Sequence, residues 1–452
     1  MSSRKPEKTK SRTWDYLRVL LVSGCRDLRI TRLAFAVVLV VLVLSSARAA
    51  PPNVLFVFTD DQRFDTIRSL GNKEIETPNL DKLVERGFHF TNVYCQGSMV
   101  GAVCAPSRTM LLTGKSLFRI PQPNAKTYAG PTLGGTFRKA GYDTLCVSKP
   151  GNSFRVGHDA FEKVVHIPHV GAQTNAKCAD AAIEYLKDRK PEGKPFFVYF
   201  APSMPHDPRT AEKEFHDKYD PAKVTLSRNF LPKHPFDNGE LNVRDEKLAP
   251  TPRTEAEMKR HLAEYYACIT SLDHHLGRIL DALKSNGTLE NTVVIFTSDQ
   301  GLAVGGRHGL MGKQNLYEHF KSPLVIAGPG VPKGKSDAIV YLFDMFPTAC
   351  DLAGVPAPKE CEGASLAPVM KGEKKFVRDR LFAAYKDCQR MVRNDRWKLI
   401  HYPKINRYQL FDLTMDIDEI DDLAAKPEHA DKLSEMKRQL SEERTRWNDS
   451  LK

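Results

Sequence analysis

The sequence has no closely spaced cysteine pair, since none of its nine cysteines forms a Cys-x-x-Cys motif. Metal–thiolate sites usually require such pairs, so their absence argues against this kind of site. Internal repeats and low-complexity tracts are absent as well. What is present is a chain of 452 residues with 41% hydrophobic and 27% charged side chains, enough for a sizeable core. We expect one large domain and a smaller one.

Long apolar runs are scarce, and one stands near the N-terminus. Nine basic side chains between residues 4 and 32 precede the twelve-residue apolar run Leu33 to Leu44, and a segment rich in small residues ends at Ala49. This layout is typical of a secretory signal peptide, residues 1–49. A permanent membrane anchor is the alternative, but the run is too short to span a bilayer comfortably. We therefore predict a secreted or periplasmic protein without a stable membrane span after cleavage.

Excess charge of one sign is small once this signal is removed. The whole chain has a net charge of +12, but residues 1–49 contain ten Lys or Arg and three Asp or Glu, which leaves 57 basic and 52 acidic residues. No nucleic-acid partner is predicted from this balance. Disulfides are permitted outside the cell, but the spacing does not predict them, and Cys146, Cys178 and Cys268 are expected to be buried small hydrophobic residues.

Apolar runs alternate with helical patterns through most of the chain. The runs 53–59, 142–148, 196–200 and 292–297 predict strands that are buried on both faces of a parallel sheet. The predicted helices between them begin near residues 77, 106, 131, 174 and 254 and serve as crossovers. This order indicates a doubly wound, mainly parallel α/β domain over residues 50–365. The irregular segment 207–252 predicts a long surface excursion beside a site.

The pattern changes in the last part of the chain, residues 366–452. Short strand-like pieces at 381–385, 397–402 and 408–413 precede a charged helix over 427–447. We predict a C-terminal subdomain made of a small antiparallel sheet plus a helix.

Polar side chains follow four of the predicted parallel strands. Because the carboxyl ends of such strands line one crevice, we expect these groups to converge. Each alone has an ordinary alternative, such as capping the next helix. Three converging carboxylates repel one another unless a cation lies between them, and oxygen ligands suit calcium first and magnesium second. The residues are Asp60, Asp61, Lys149, His206, Asp299 and Gln300.

A cysteine precedes another predicted helix start. Cys104 stands just ahead of Pro106, so the free amides of the helix N-terminus would face an anion bound beside the thiol. Arg108, one turn further, offers a planar fork for oxyanion oxygens. A lone cysteine in this position is usually structural.

The segment from Cys104 to Gly114, CAPSRTMLLTG, nevertheless resembles the signature of the formylglycine-dependent sulfatase family, here of the secreted bacterial type. In that family Cys-x-Pro-Ser-Arg, followed after four residues by Thr-Gly, directs oxidation of the cysteine to formylglycine. The resemblance extends to Asp60-Asp61 and to the segments 205–209, 297–301 and 312–319, and covers nearly the whole mature chain. It implies the fold of the alkaline phosphatase superfamily.

The resemblance also implies a metal site. Cys104, oxidised by a formylglycine-generating maturation enzyme, would be the hydrated aldehyde nucleophile and a metal contact. Asp60, Asp61, Asp299 and Gln300 would be the other ligands. Gln300 departs from the family pattern, which usually has Asn or His there.

Four further residues take catalytic roles by the same resemblance. Arg108 would steady the nucleophile, while Lys149, His206 and Lys313 would hold sulfate oxygens. His206 or Lys313 would help the leaving alcohol depart. The substrate would be a sulfated small molecule or glycan.

A second departure follows Lys149, where the family has a histidine two or three residues later and this chain has Pro150 to Ser153. His158, or a histidine from the segment 207–252, is a candidate replacement. A phosphatase or phosphonate hydrolase on the same fold is one alternative function, because the site would favour any tetrahedral oxyanion. A catalytically impaired protein that binds sulfated glycans is another; the missing histidine favours it, whereas the retained Cys104, Arg108 and both lysines oppose it.

Overall fold

A computed structural model describes residues 50–451. The predicted signal peptide, residues 1–49, lies outside the described residues, as does Lys452. Within the described part, no helix combines the length and the apolar character that crossing a membrane requires. The eight cysteines of this part are unpaired thiols, and Cys146, Cys178 and Cys268 are buried as expected.

Two β-sheets organise the described residues. Their strands are β1 (Asn53–Thr59), β2 (Phe88–Tyr94), β3 (Gly97–Ser98), β4 (Asp143–Ser148), β5 (Lys163–His166), β6 (Phe196–Ala201), β7 (Thr292–Ser298), β8 (Ser322–Ala327), β9 (Gly334–Tyr341), β10 (Leu381–Tyr385), β11 (Gln389–Arg393), β12 (Trp397–Tyr402) and β13 (Arg407–Asp412). The first sheet has the order β5-β4-β6-β1-β7-β8-β2-β9. Only β8 runs antiparallel to its neighbours in it, so the predicted mainly parallel sheet is confirmed.

Most of the helices connect strands of the first sheet, whereas the last one packs on the second sheet. They are α1 (Pro78–Arg86), α2 (Cys104–Thr113), α3 (Leu133–Lys139), α4 (Arg155–Asp159), α5 (Thr174–Leu186), α6 (Lys213–His216), α7 (Glu255–Ser285), α8 (Met345–Leu352), α9 (Ala367–Met370) and α10 (Ala430–Trp447). Local signals set the bounds of α7. The Thr254 side chain accepts a hydrogen bond from the Glu257 backbone N–H at its start, and Gly287, with φ +77°, follows its end.

The central strand β1 is buried on both faces. Val54, Phe56 and Phe58 point into one apolar core, whereas Leu55 and Val57 point into another. The helix α7 contributes to the second core at a helical spacing, with Leu272, Leu276, Ile279 and Leu283. The continuous apolar run of β1 is explained by this double burial, because neither face meets water.

The second sheet has the order β13-β12-β11-β10-β3. Its four C-terminal strands are antiparallel, as predicted. The strand β11 was not predicted and lies between two predicted strands, β10 and β12. The fifth strand, β3, comes from the segment just before Cys104 and pairs with β10. Gly97 is required there, since it has φ +99° and a Cβ would stand 1.9 Å from the Ala384 carbonyl oxygen. Because β3 belongs to the first part of the chain, the second sheet includes residues from both sides of the predicted boundary at residue 366. The domain division there stays a prediction.

The buried His158 and His234 and the half-buried His401 predict acid lability. Burial, assisted by the charge of Arg108, lowers the pKa of His158 to about 3, and burial lowers the pKa of His234 and of His401 to about 4. In the unfolded chain histidine protonates near pH 6.5, so unfolding takes up protons below that pH. The stability supplied by the neutral rings is present above about pH 6.5 and is lost as the pH falls toward their native pKa values.

We therefore expect the Tm to fall between about pH 6.5 and pH 4. His158→Gln should make this decline shallower, because it removes one of the rings whose pKa is strongly lowered in the folded protein. Thermal unfolding over this pH range measures both slopes. Identical slopes in the two proteins would contradict the assignment to His158.

Candidate active site

Four neighbouring strands of the first sheet end at one place. The strands β4, β6, β1 and β7 are adjacent and parallel, so their carboxyl ends lie side by side. The polar residues singled out in the sequence follow these ends: Lys149 follows β4, His206 follows β6, Asp60 and Asp61 follow β1, and Asp299 and Gln300 follow β7. The sheet thus brings together groups that are as much as 240 residues apart, as Asp60 and Gln300 are.

Buried carboxylates form the centre of the site. Asp299 Oδ1 accepts hydrogen bonds from the backbone N–H groups of Asp61 and Gln300, each at 2.9 Å. Gln300 Nε2 donates to Asp61 Oδ1 at 2.5 Å. Three buried oxygens in this cluster have no hydrogen-bond partner: Asp60 Oδ1, Asp299 Oδ2 and Gln300 Oε1. Buried oxygens of this kind need a donor or a cation.

The electrostatics of the carboxylate cluster also favour a bound cation. Burial, followed by the negative charge of Asp60, raises the pKa of Asp299 to about 8, so the cluster holds more negative charge than it can stabilise alone. Donor atoms of Asp60, Asp61, Cys104 and His206 all lie within 4.8 Å of one another. The carboxylate oxygens of this set, with the unpartnered oxygens of Asp299 and Gln300, fit a hard divalent cation. The extra methylene of Gln300 leaves its amide oxygen free among these residues.

Two lysines contact the cluster from different sides. Lys149 Nζ donates to Asp60 Oδ2. Lys313 Nζ lies 2.8 and 3.0 Å from the two carboxylate oxygens of Asp61, and 3.2 Å from the Sγ of Cys104. Both lysines are almost fully buried, so water screens their positive charges little.

The helix α2 supplies the thiol and a guanidinium. Cys104 is its first residue and Arg108 lies one turn later, both buried. The Ser107 hydroxyl donates to the Asp299 carbonyl oxygen at 2.7 Å and fastens α2 to the end of β7. Arg108 Nε lies 3.4 Å from Asp299 Oδ2, and its Nη2 lies 3.5 Å from Asp60 Oδ2. The signature residues 104, 107 and 108 thus each have a separate physical task.

His206 completes the set of nine predicted residues, which the structure places together. Its Nδ1 lies 2.7 Å from the carbonyl oxygen of Asp207, and its Nε2 lies 3.7 Å from Asp61 Oδ2. A carbonyl oxygen can only accept a hydrogen bond, so Nδ1 is the donor of this contact, and Nε2 is the ring nitrogen nearer the carboxylate cluster.

The segment after Lys149 turns outward. Residues 150–152 are exposed, and a Cβ on Gly151 would meet no heavy atom within 4 Å. His158 is buried elsewhere in a pair, with its Nδ1 3.3 Å from His166 Nε2. His234 from the excursion is also engaged, since its Nδ1 donates to a backbone carbonyl at 2.8 Å.

Sequence reasoning missed other polar residues near the site. His169 follows β5, the strand beside β4, and the charges of His206 and Asp207 act on its pKa, which burial lowers. Recognition of β5 as a strand would have found it. Asp245 and Glu246 contact the loop that carries Lys313, but no motif marks them.

Comparison with known families decides the identity. Residues 52–355, more than half of the chain, match the model of the sulfatase family. The chain belongs to the sulfatase family. Residues 306–446 also match a family described as N-sulphoglucosamine sulphohydrolase, C-terminal. This sulfatase is a sulfuric ester hydrolase, and the resemblance drawn from the Cys104 segment is confirmed.

Individual relatives agree with this assignment. The sulfatase is 27% identical to N-acetylglucosamine-6-O-sulfatase of Bacteroides thetaiotaomicron over 88% of this chain and 87% of that protein. It is 28% identical to arylsulfatase K of Bos taurus over 86% of this chain and 81% of that protein.

Solved structures share the fold. A protein in complex with its substrate D-glucosamine-2-N,6-O-disulfate superposes with a TM-score of 0.74 and 23% identity, over 88% of this chain and 99% of that one. The phosphonate monoester hydrolase of Agrobacterium radiobacter also has a TM-score of 0.74, with 20% identity and 88% and 96% covered. The predicted alkaline-phosphatase-like fold is confirmed.

Asp299→Asn separates charge repulsion from cation binding in this sulfatase. With a chelator present and the pH above about 8, where Asp299 is ionised, the substitution removes one negative charge from the buried cluster, while an amide oxygen can still accept the two backbone hydrogen bonds. We expect an unchanged or higher Tm under that condition. Added calcium should raise the Tm of the wild type but not of the variant, because the variant lacks a charged ligand.

Asp143→Asn serves as the control, because Asp143 pairs with Arg189 at the opposite end of β4. Its calcium response should match that of the wild type. An equal calcium shift in Asp299→Asn would remove Asp299 from the cation site.

Proposed function

We propose that this sulfatase hydrolyses sulfate esters of carbohydrates, using formylglycine made from Cys104 and a bound divalent cation, calcium first and magnesium second. The observation that carries the proposal is the buried cluster at the ends of β1 and β7. There, unpartnered oxygens of Asp60, Asp299 and Gln300 stand beside residue 104. The carboxylate oxygens of this cluster would hold the cation. The cationic side chains around it would hold a tetrahedral oxyanion between them.

The cation site would consist of Asp60, Asp61, Asp299, Gln300 and residue 104. The bound cation would neutralise the carboxylates and stabilise charge on the transferring sulfuryl group. The hydrated aldehyde would supply one hydroxyl to attack sulfur and a second that allows sulfate to leave, which a simple alcohol cannot do.

The remaining side chains would bind and orient the sulfate. Lys149 and Lys313 approach from different sides and would each contact a sulfate oxygen, together with His206. Arg108, held by two aspartates, would steady residue 104 at the start of α2. Lys313 or His206 would stabilise the departing alcohol.

An unmodified thiol is poorly suited to this site. Burial, and then the negative charge of Asp60, raises the pKa of Cys104 well above its ordinary value. The thiolate is the nucleophilic form of cysteine, so little of it would exist near neutral pH. This supports a modified residue at position 104 as the reacting group.

A sulfated carbohydrate is the substrate class we propose, because named relatives act on amino-sugar sulfates. We also propose a secreted or periplasmic location and a formylglycine-generating enzyme as a maturation partner. Residues 50–365 would form the catalytic domain and residues 366–452 a C-terminal subdomain.

Position 104 gives the direct test. Protein from a host with the maturation machinery should yield a peptide in which the Cys104 side chain is an aldehyde, as determined by mass spectrometry. The same protein should release sulfate from a panel of sulfated sugars, and Cys104→Ala should not. Phosphate and phosphonate monoesters in the panel test the alternative hydrolase. Unmodified Cys104 in active protein would refute the formylglycine mechanism.

The open position at Gly151 predicts unusual kinetics. A general base contributes on the order of a hundredfold to ten-thousandfold, and the histidine that family members carry near this position is absent. We expect the wild type to release a burst of alcohol before slow turnover, because sulfate release lacks its base. Gly151→His fits sterically and should raise the steady-state rate and abolish the burst, as measured by stopped-flow detection of alcohol.

Gly151→Asn is the matched control, since it adds a polar side chain of similar size that is not a useful base. It should keep the burst. Rapid wild-type turnover without a burst would mean that another group, such as Lys149 or water, already serves as the base.

A further inference from the structure

The loop that carries Lys313 has no regular secondary structure, yet it is buried. Glu246, in the irregular segment 207–252, binds the backbone of this loop. Glu246 Oε2 accepts the backbone N–H of Met311 at 3.0 Å, and its Oε1 accepts that of Gly312 at 2.9 Å. The two residues before Lys313 are therefore fixed by one carboxylate.

Glu246 is itself held by a buried partner. Arg253 Nη2 donates to Glu246 Oε2 at 2.8 Å, and both side chains are only 2% exposed. The same guanidinium donates to the backbone carbonyls of Glu246 and Pro250 at 2.9 and 3.1 Å. A buried carboxylate with this many charge-assisted bonds has little freedom to move.

Gly312 shows how close the contact is. A Cβ there would stand 2.9 Å from Glu246 Oε1 and 2.2 Å from the Oε1 of Gln314. Glycine is thus the residue that allows the carboxylate to approach the backbone.

The neighbouring Asp245 contacts the other side of Lys313. Its Oδ2 accepts a hydrogen bond from Gln314 Nε2 at 2.7 Å and lies 3.9 Å from Lys313 Nζ. Arg244 then links Asp245, at 3.0 Å, to the carboxylate of Asp207. Asp207 directly follows His206, so one chain of ion pairs joins the surroundings of Lys313 and His206.

We propose that Asp245 and Glu246 are positioning residues that hold Lys313 where it stabilises the charge developing on the departing alcohol oxygen. This inference rests on the proposed function. The excursion is then part of the catalytic apparatus, because its acidic pair fixes the lysine from both flanks while touching no reacting atom.

The leaving group distinguishes this role from a merely structural one. An aryl oxygen with electron-withdrawing substituents carries its negative charge readily, whereas a sugar alkoxide needs external stabilisation. A misplacement of roughly 1 Å can cost about a hundredfold in rate. Loss of the contacts from Asp245 and Glu246 should therefore slow the hydrolysis of sugar sulfates selectively. A loss of folded protein would slow the hydrolysis of all substrates equally.

The experiment compares Glu246→Gln and Asp245→Asn with the matured wild type on 4-nitrophenyl sulfate and on a sugar sulfate that the wild type hydrolyses. Because sulfate release limits steady-state turnover, the burst rate of alcohol release at saturating substrate is the quantity compared. For both variants we expect this rate on the sugar sulfate to fall by about 10- to 100-fold, mainly without a matching rise in the half-saturating substrate concentration. The burst rate on 4-nitrophenyl sulfate should change by only a few-fold. Circular dichroism and thermal unfolding measure the folded fraction.

Glu419→Gln is the matched control, because Glu419 is also buried and paired with one buried cation, Lys398, at 2.8 Å. The ratio of its burst rates on the two substrates should equal that of the wild type. If Glu246→Gln and Asp245→Asn were both folded and kept the wild-type ratio, the proposal that these two residues position Lys313 would be wrong. A wild type without sulfatase activity would instead overturn the proposed function.

Discussion

The need to balance buried negative charge governs the architecture of this sulfatase. Asp60, Asp61 and Asp299 lie at the ends of two adjacent strands, with no exposed side chain among them. Such a cluster is unstable without compensating cations. Three buried cationic side chains supply this compensation: Lys149 contacts Asp60, Lys313 contacts Asp61, and Arg108 lies beside both Asp60 and Asp299. The site that would bind a metal and an anion is therefore also the main electrostatic constraint on the fold.

The centre of the site was predictable because it follows strand ends. The run before Asp60 is apolar on both faces, and a parallel sheet forces the residues after such runs to one edge. The Cys104 segment was recognisable because several of its residues have fixed tasks within two helical turns. Eight of the nine predicted side chains were found from these two kinds of signal, and the strands that precede six of them were found from their double burial. Lys313 was found only because the segment 312–319 resembles the family.

Other features could not be read from the sequence for physical reasons. The strand β8 is a short apolar run, and nothing in such a run reveals that it is antiparallel. The strand β5 is half-exposed at the sheet edge and has only four residues, so the position of His169 remained hidden. Asp245 and Glu246 stand in an irregular segment, where contacts depend on the path of the backbone rather than on periodicity. Positioning residues of this kind leave no local pattern.

The second sheet contacts both sides of the site, which limits how separable the C-terminal region can be. Its strand β3 pairs with β10 six residues before Cys104. On the other side, Gln389 of β11 accepts the backbone N–H of Leu316 at 3.1 Å and donates to Asn315 at 2.9 Å. The segments that lead to Cys104 and follow Lys313 therefore both contact one sheet. A displacement of that sheet would move both segments together, so the last quarter of the chain sets the geometry of the centre as well as its surroundings.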